Sequence, residues 1–264
     1  MGFSTCVNFK EKVIISHPFI RVICRNTFYI NVYENIHATV ILTEAQKKVI
    51  RKNSSIFSVL MVGIDSISKQ NLMRTMPKSY EYLEENFINL KGYNKIGENT
   101  FPNLMAILTG QNTTQLEKTC SDTDMQDKCD FLWKTFRDVG FMTAYGEDTP
   151  FINTFNYARK GFSSPPTDYY YRPYFIAAEK LSRVKSDCHA RFCAGPEASG
   201  ERTLNNAKDF SITFKSLPSF GLFWTNAFSH DNINCPSAMD DKILQFLSDE
   251  NFISSLSNTI FIFF

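Results

Sequence analysis

The chain has 264 residues, enough to bury a sizeable core in one large domain or two unequal pieces. Its 28 Lys and Arg stand against 27 Asp and Glu, which excludes a nucleic-acid-binding surface and a polybasic membrane patch, since both need one sign to dominate locally. No run of about 20 apolar residues reads as a membrane span, and the opening MGFSTCVNFKEK lacks the apolar core of a signal peptide.

The first 40 or so residues read as extended. HPFIRVICRNTFYINVYENIHATVIL is rich in β-branched and aromatic residues and is broken by Asn and Pro. The polar run at 43–55 reads as a short helix or linker, so a boundary near residue 54 divides a β-rich segment (1–54) from an α/β domain (55–264). SVLMVGI (58–64) is a continuous apolar run, as in a strand buried on both faces. KQNLMRTM and KSYEYLEENF predict helices that meet near Pro77, and FINLKGYNKIG predicts a second strand and turn. PNLMAILTG predicts a two-turn helix capped by Gly110, and CDFLWKTFRDVG predicts a helix with Leu132, Phe136 and Val139 on one face. FMTAYG, GLFWTNAF (221–228) and NTIFIFF (258–264) predict further strands, with MDDKILQFL a helix between the last two. Strands alternating with helices imply a mostly parallel sheet covered on both faces.

Seven cysteines and no C-x-x-C pair speak against a zinc ribbon and for disulfides. Cys120/Cys129 and Cys188/Cys193 are close pairs in polar stretches, and Asn53-Ser-Ser and Asn112-Thr-Thr are glycosylation triplets. Together they predict an oxidising compartment. The odd total leaves a thiol over, expected at Cys6 or Cys24.

Ligands of parallel sheets bind beyond the carboxyl ends of the strands. That rule singles out Asp65, Glu147 with Asp148, and His230 with Asp231. Thr100 stands at the mouth of the PNLMAILTG helix, where free N–H groups and the helix dipole favour an oxyanion. Each has a plainer reading. Asp65 and Thr100 could be helix caps, with Pro102 tolerated in the first turn. Glu147 and Asp148 could be solvated acids, and His230 a satisfied histidine. Asp240 and Asp241 read as first-turn acids of a helix.

The combination G-I-D-S, N-T-F-P-N-x-x-x-x-L-T-G, G-F-M-T-A-Y-G and S-H-D resembles the sulfatase and alkaline-phosphatase superfamily. GYNKIGENTFPNLMAILTG, CDFLWKTF, GFSSPPTDYYYRP and FSHDN resemble more closely the DUF229 family, over nearly the whole chain. The resemblance implies an αβα sandwich around a two-metal site. Asp65 matches the first metal-binding aspartate and Thr100 the nucleophile, itself a metal ligand. His230 falls near the substrate-binding histidine, and Glu147 and Asp148 are additional candidate acids. The cofactor implied is a divalent metal (zinc, manganese or calcium) in an intact parent. The substrate implied is a phosphorylated or sulfated glycan or small-molecule ester, handled outside the cell.

Two departures shape the expectation. Sulfatases carry a cationic G-K-x-H where this chain has Glu147-Asp148, and there is no C-x-P-S-R from which formylglycine could form. The superfamily's S-D-H-G metal ligands follow the strand equivalent to NTIFIFF, where this sequence stops at Phe264. The chain is therefore expected to be a C-terminally truncated piece of a metal-dependent phosphoester, less readily sulfoester, hydrolase or transferase, inactive by itself. The alternative is a non-catalytic extracellular binding protein on the same fold.

Overall fold

The computed structural model describes residues 3–44, 46, 56–118, 120, 126–181, 184–185 and 192–264. Asn53, Cys188 and most of the 43–55 run lie outside them. Phe19–Arg25 (β1) and Asn31–Ala38 (β2) form an antiparallel hairpin. Ser58–Ile64 (β3), Met142–Glu147 (β4) and Tyr169–Tyr170 (β5) follow. Val184–Lys185 (β6), Cys193–Ala194 (β7) and Glu197–Ala198 (β8) make a small antiparallel sheet. Ser219–Thr225 (β9) and Thr259–Phe263 (β10) complete a five-stranded sheet of order β10-β3-β9-β4-β5, parallel throughout.

The apolar runs are continuous because each strand feeds two cores. Leu60, Val62 and Ile64 of β3 and Phe223 of β9 point to one side; Met61 of β3 and Phe220, Leu222 and Trp224 of β9 point to the other. That alternation is the period of two built into an extended chain. Helices cover both faces. In chain order they are Lys69–Thr75 (α1), Pro77–Asn86 (α2), Thr100–Thr109 (α3), Thr113–Leu116 (α4), Leu132–Asp138 (α5), Arg172–Leu181 (α6), Ser199–Thr213 (α7), Asp240–Leu247 (α8) and Glu250–Ser255 (α9). α7, α8 and α9 pack on the first face through Leu204, Phe210, Ile243 and Phe252. α3 and α5 pack on the second through Leu104, Met105, Leu108 and Trp133. The chain is thus a mixed α/β protein with a parallel sheet flanked by helices. Among the described residues no helix is long and apolar enough to cross a membrane.

Several local expectations hold in detail. Pro77 opens α2 at its first position, where its missing N–H is no loss, and Gly110 ends α3 in the left-handed region at φ 69°. Asp240 is more than a first-turn acid of α8. Its carboxylate accepts from the Lys78 and Ser79 backbone N–H groups at 3.1 and 2.9 Å, which caps α2 from a neighbouring helix.

FINLKGYNKIG is not a strand. Residues 88–99 are irregular, with Ile88 93% and Leu90 67% exposed. A strand needs a partner, and no strand of the described sheets pairs with this segment. A side chain holds its end instead: Asn103 accepts from Ile96 N–H at 2.8 Å and donates to the Gly97 and Asn99 carbonyls at 2.8 and 2.6 Å.

The N-terminal hairpin packs on the main body through Phe19, Ile36 and Ala38. Arg202 of α7, 1% exposed, fixes it there. The guanidinium donates to Asn35 Oδ1 (2.6 Å), the Ile36 carbonyl (2.9 Å), the Ala194 carbonyl (2.6 Å) and the Tyr174 hydroxyl (2.8 Å).

Cys120 and Cys129 form a disulfide, with Cα atoms 5.1 Å apart, and Cys235 is also disulfide-bonded. Cys6 and Cys24 are exposed free thiols. Closing a loop of this length is worth about 2–3 kcal/mol in the chain-entropy account. Cys129→Ser should lower the free energy of unfolding by that much under oxidising conditions and by nothing under reducing ones. Equal loss in both would show that packing of the buried sulfur, not the cross-link, stabilises the loop.

Candidate active site at the carboxyl ends of the strands

Asp65 follows the last residue of β3, is 2% exposed, and its N–H donates to the Thr225 carbonyl of β9 at 2.9 Å. Its carboxylate gathers three donors. Thr100 Oγ1 donates to Oδ1 at 2.6 Å, Trp224 Nε1 to Oδ1 at 3.4 Å, and Ser66 Oγ to Oδ2 at 2.8 Å. Gly63 makes this possible, because a Cβ there would lie 2.0 Å from the Trp224 ring. The indole therefore lies across bare β3 backbone with its N–H turned to Asp65.

Neither Asp65 nor Thr100 is a helix cap. Ser68 caps α1 by accepting from Asn71 N–H, and Thr100 is already the first residue of α3. Asn99 before it makes no side-chain cap bond and sits at φ 68°, ψ 172°. A non-glycine residue in that region is held against its preference, and such residues concentrate at functional sites. The Asn103 clamp on the Asn99 carbonyl is what holds it. In T-F-P-N, then, Thr100 meets Asp65, Phe101 anchors in the core at 7% exposure, and Pro102 packs on Gly97, where a Cβ would lie 2.9 Å away. Asn103 ties the approach loop. Arg159 lies flat over the Phe101 ring, 3.5 Å from its centroid, which brings a positive charge next to Thr100's neighbour. Tyr93, Phe264 and Trp224 follow one another at ring separations of 6.1 and 6.3 Å, a line of aromatic surface leading to Asp65.

Glu147 and Asp148 share this edge of the sheet but lie on the far side of β9, and they are not solvated: they are 2% and 0% exposed. Glu147 accepts from the Tyr145 hydroxyl, from Thr154 N–H at 2.9 Å and from Asn226 Nδ2 at 3.0 Å. Asp148 accepts from Thr225 Oγ1 at 2.8 Å and from the Asn226 and Ala227 N–H groups at 2.7 and 3.2 Å. These bonds tie the end of β4 to the end of β9. Burial pushes Glu147 up to about 7 and Asp148 up to about 6, against the pull of their hydrogen bonds. His230 is half-exposed on the loop after β9, its Nδ1 paired with Asp231 Oδ1 at 2.6 Å.

A divalent ion needs more than this arrangement offers. Structural and catalytic sites use three or more protein ligands, and no three His, Cys, Asp or Glu of the described residues gather to hold a metal. Asp65 has both oxygens engaged and Thr100 spends its proton on one of them. The described residues do not fit a two-metal centre by themselves.

The sequence profile of DUF229, a protein of unknown function, matches residues 4–264. The chain belongs to the DUF229 family. No curated protein matches it. Sequence reasoning picked out Asp65 and Thr100 in this DUF229 chain but missed Trp224, Ser66 and Asn103, which arrange them, and Asn226, which ties Glu147 to Asp148. A visible signal existed for two of these: Asn103 is the last letter of T-F-P-N, and Ser66 the last of G-I-D-S.

Proposed function

We propose that this DUF229 chain is a sulfatase-like α/β domain whose parent is an extracellular, metal-dependent phosphoester hydrolase or transferase. On this reading Thr100 is the nucleophile and Asp65 the first metal ligand. The observation that carries it is the 2.6 Å bond between Thr100 Oγ1 and Asp65 Oδ1 at the N-terminus of α3. A carboxylate beside a hydroxyl orients it and takes its proton as it attacks. The N-terminus of α3, with the N–H groups that Pro102 leaves and the positive end of its dipole, would favour a developing oxyanion. A carboxylate alone is a poor base for an alcohol; a divalent metal held by Asp65 and Thr100 would supply the missing acidity. The described residues offer it only these two ligands, fewer than a divalent ion needs, so they alone should not turn over. Arg159 suits an anionic ester, and the aromatic line from Tyr93 to Trp224 suits a ring-bearing one such as a glycan. The Cys120–Cys129 disulfide supports the extracellular placement. The lack of the sulfatase G-K-x-H cation and of a C-x-P-S-R from which formylglycine could form favours phosphoester over sulfoester, and His230 is the candidate substrate-binding histidine.

A second reading, a non-catalytic binding protein, has one observation in its favour. The carboxylates of Asp65, Glu147 and Asp148 are all satisfied by internal donors. The test assays an aryl phosphodiester with added zinc or manganese, using both the 264-residue chain and the full product of its gene. The shorter chain should show no turnover. The full product should, and Thr100→Ala should reduce its rate on the order of 10³-fold or more. A full product that binds metal but never turns over supports the second reading. Turnover indifferent to Thr100→Ala overturns the nucleophile.

A further inference from the structure

Of the two glycosylation triplets, one lies within the described residues, and its surroundings say more than its letters. We infer that Asn112 is an N-glycan acceptor, a modification site on the opposite end of α3 from Thr100. The inference rests on the extracellular part of the reading above and on none of its chemistry. Asn112 and the two threonines after it are exposed. The Asn112 side chain also holds local structure together. Its Oδ1 accepts from Gln115 N–H at 3.0 Å, while Gln115 Oε1 accepts from Asn112 N–H at 2.9 Å. That is a capping box on α4.

Capping and glycosylation use different atoms. The cap needs the carbonyl oxygen, whereas glycosylation uses Nδ2, which has no partner among the described residues. In the transfer, Nδ2 attacks C1 of a sugar carried on a polyprenyl diphosphate. The N–C1 bond forms, the C1–O bond to the diphosphate breaks, and one amide proton is lost. The product is still a secondary amide with its carbonyl intact, so the glycan is carried without loss of the cap. Position suits the role as well. α3 is 10 residues long, which puts its far end about 14 Å from Thr100. A glycan there sits at the N-terminal edge of the sheet and leaves the candidate site open. The Cys120–Cys129 disulfide, close by in sequence, forms in the compartment where such glycans are added.

The experiment expresses the chain behind a cleavable secretory leader in a eukaryotic cell and maps glycopeptides by mass spectrometry. The peptide spanning residue 112 should carry an oligosaccharide that peptide-N-glycosidase removes, converting Asn112 to aspartate. Asn112→Asp should abolish the modification and match the thermal midpoint of Thr114→Ala, which keeps an unmodified Asn112, because Asp caps a helix as well as Asn does. Thr114→Ala should abolish it with the cap untouched. Recovery of folded protein from the medium with residue 112 unmodified would overturn the inference. Because the leader imposes entry into the lumen, that result is distinct from finding the native protein in the cytosol, which would sink the extracellular reading instead.

Discussion

Replacing Arg202 with alanine should lower stability by about 3–5 kcal/mol, a large share of the total for a domain of this kind. The side chain is 1% exposed and donates to four acceptors drawn from β2, α6 and β7. Alanine would take the guanidinium from the Ile36 and Ala194 carbonyls and the Tyr174 hydroxyl and leave Asn35 Oδ1 with the Ile36 N–H alone, and each buried bond lost carries a desolvation penalty. Lysine cannot rescue the site, since one ammonium does not reproduce the planar fork that reaches these acceptors. Glu197 stands 3.5 Å from Nη1 and helps to balance the charge. The natural control is Arg21, whose Nε donates to Glu34 at 2.9 Å on the exposed face of the hairpin. Arg21→Ala should cost under about 1 kcal/mol. Denaturant midpoints of the two variants give the comparison. A similar small loss in both would mean the hairpin is not held by Arg202.

The second large effect is one of pH. Glu147 is raised from an ordinary 4.5 to about 7 and Asp148 from 3.8 to about 6, both by burial. A carboxyl raised by folding binds its proton more tightly in the folded state. Its contribution is therefore fully present below about pH 4 and is lost as pH climbs through the folded value. Each tenfold change in proton concentration is worth about 1.4 kcal/mol, so Glu147 alone weakens the fold by on the order of 3 kcal/mol between pH 4.5 and 8. Asp148 acts in the same direction. The two share the Asn226 amide at 3.0 and 3.4 Å, so they titrate as a pair and their effects are not simply additive. The double variant Glu147→Gln, Asp148→Asn keeps one carbonyl oxygen at each position for the backbone donors. Its new N–H groups meet the Tyr145 and Thr225 hydroxyls, which can turn and accept. It should be more stable than the parent protein at pH 8 and nearly equal to it at pH 4.5. An unchanged slope of stability against pH in the variant would show that other groups set the dependence.

Local chemistry was legible in the sequence. SVLMVGI, FMTAYG and NTIFIFF are predominantly apolar runs of strand length, and they became β3, β4 and β10. Pro77 and Gly110 marked helix boundaries through their own backbone preferences, and G-I-D-S with T-F-P-N marked Asp65 and Thr100. FINLKGYNKIG failed because strand propensity is only half of a strand. The other half is pairing with a neighbour, and no strand of the described sheets takes this segment as a partner. The same limit hid the order of the sheet. β9 lies between β3 and β4 although it follows both by many residues, because parallel pairing joins segments far apart in sequence.

Only the tertiary structure decided what each acid does. Asp65, Glu147 and Asp148 all end strands at one edge, and nothing in their neighbours in sequence separates their roles. Asp65 faces a hydroxyl and an indole brought in from α3 and β9, whereas Asp148 is consumed by the Thr225–Ala227 backbone and side chains. Nothing in the residues adjacent to Arg202 marks it as buried. Its burial is set by a hairpin more than 160 residues earlier. The sequence by itself determined which residues could form strands, helices and a site. The packing of distant elements determined which polar groups are buried together, because the free energy of a charge depends on the dielectric and donors around it, and these arrive from elsewhere in the chain.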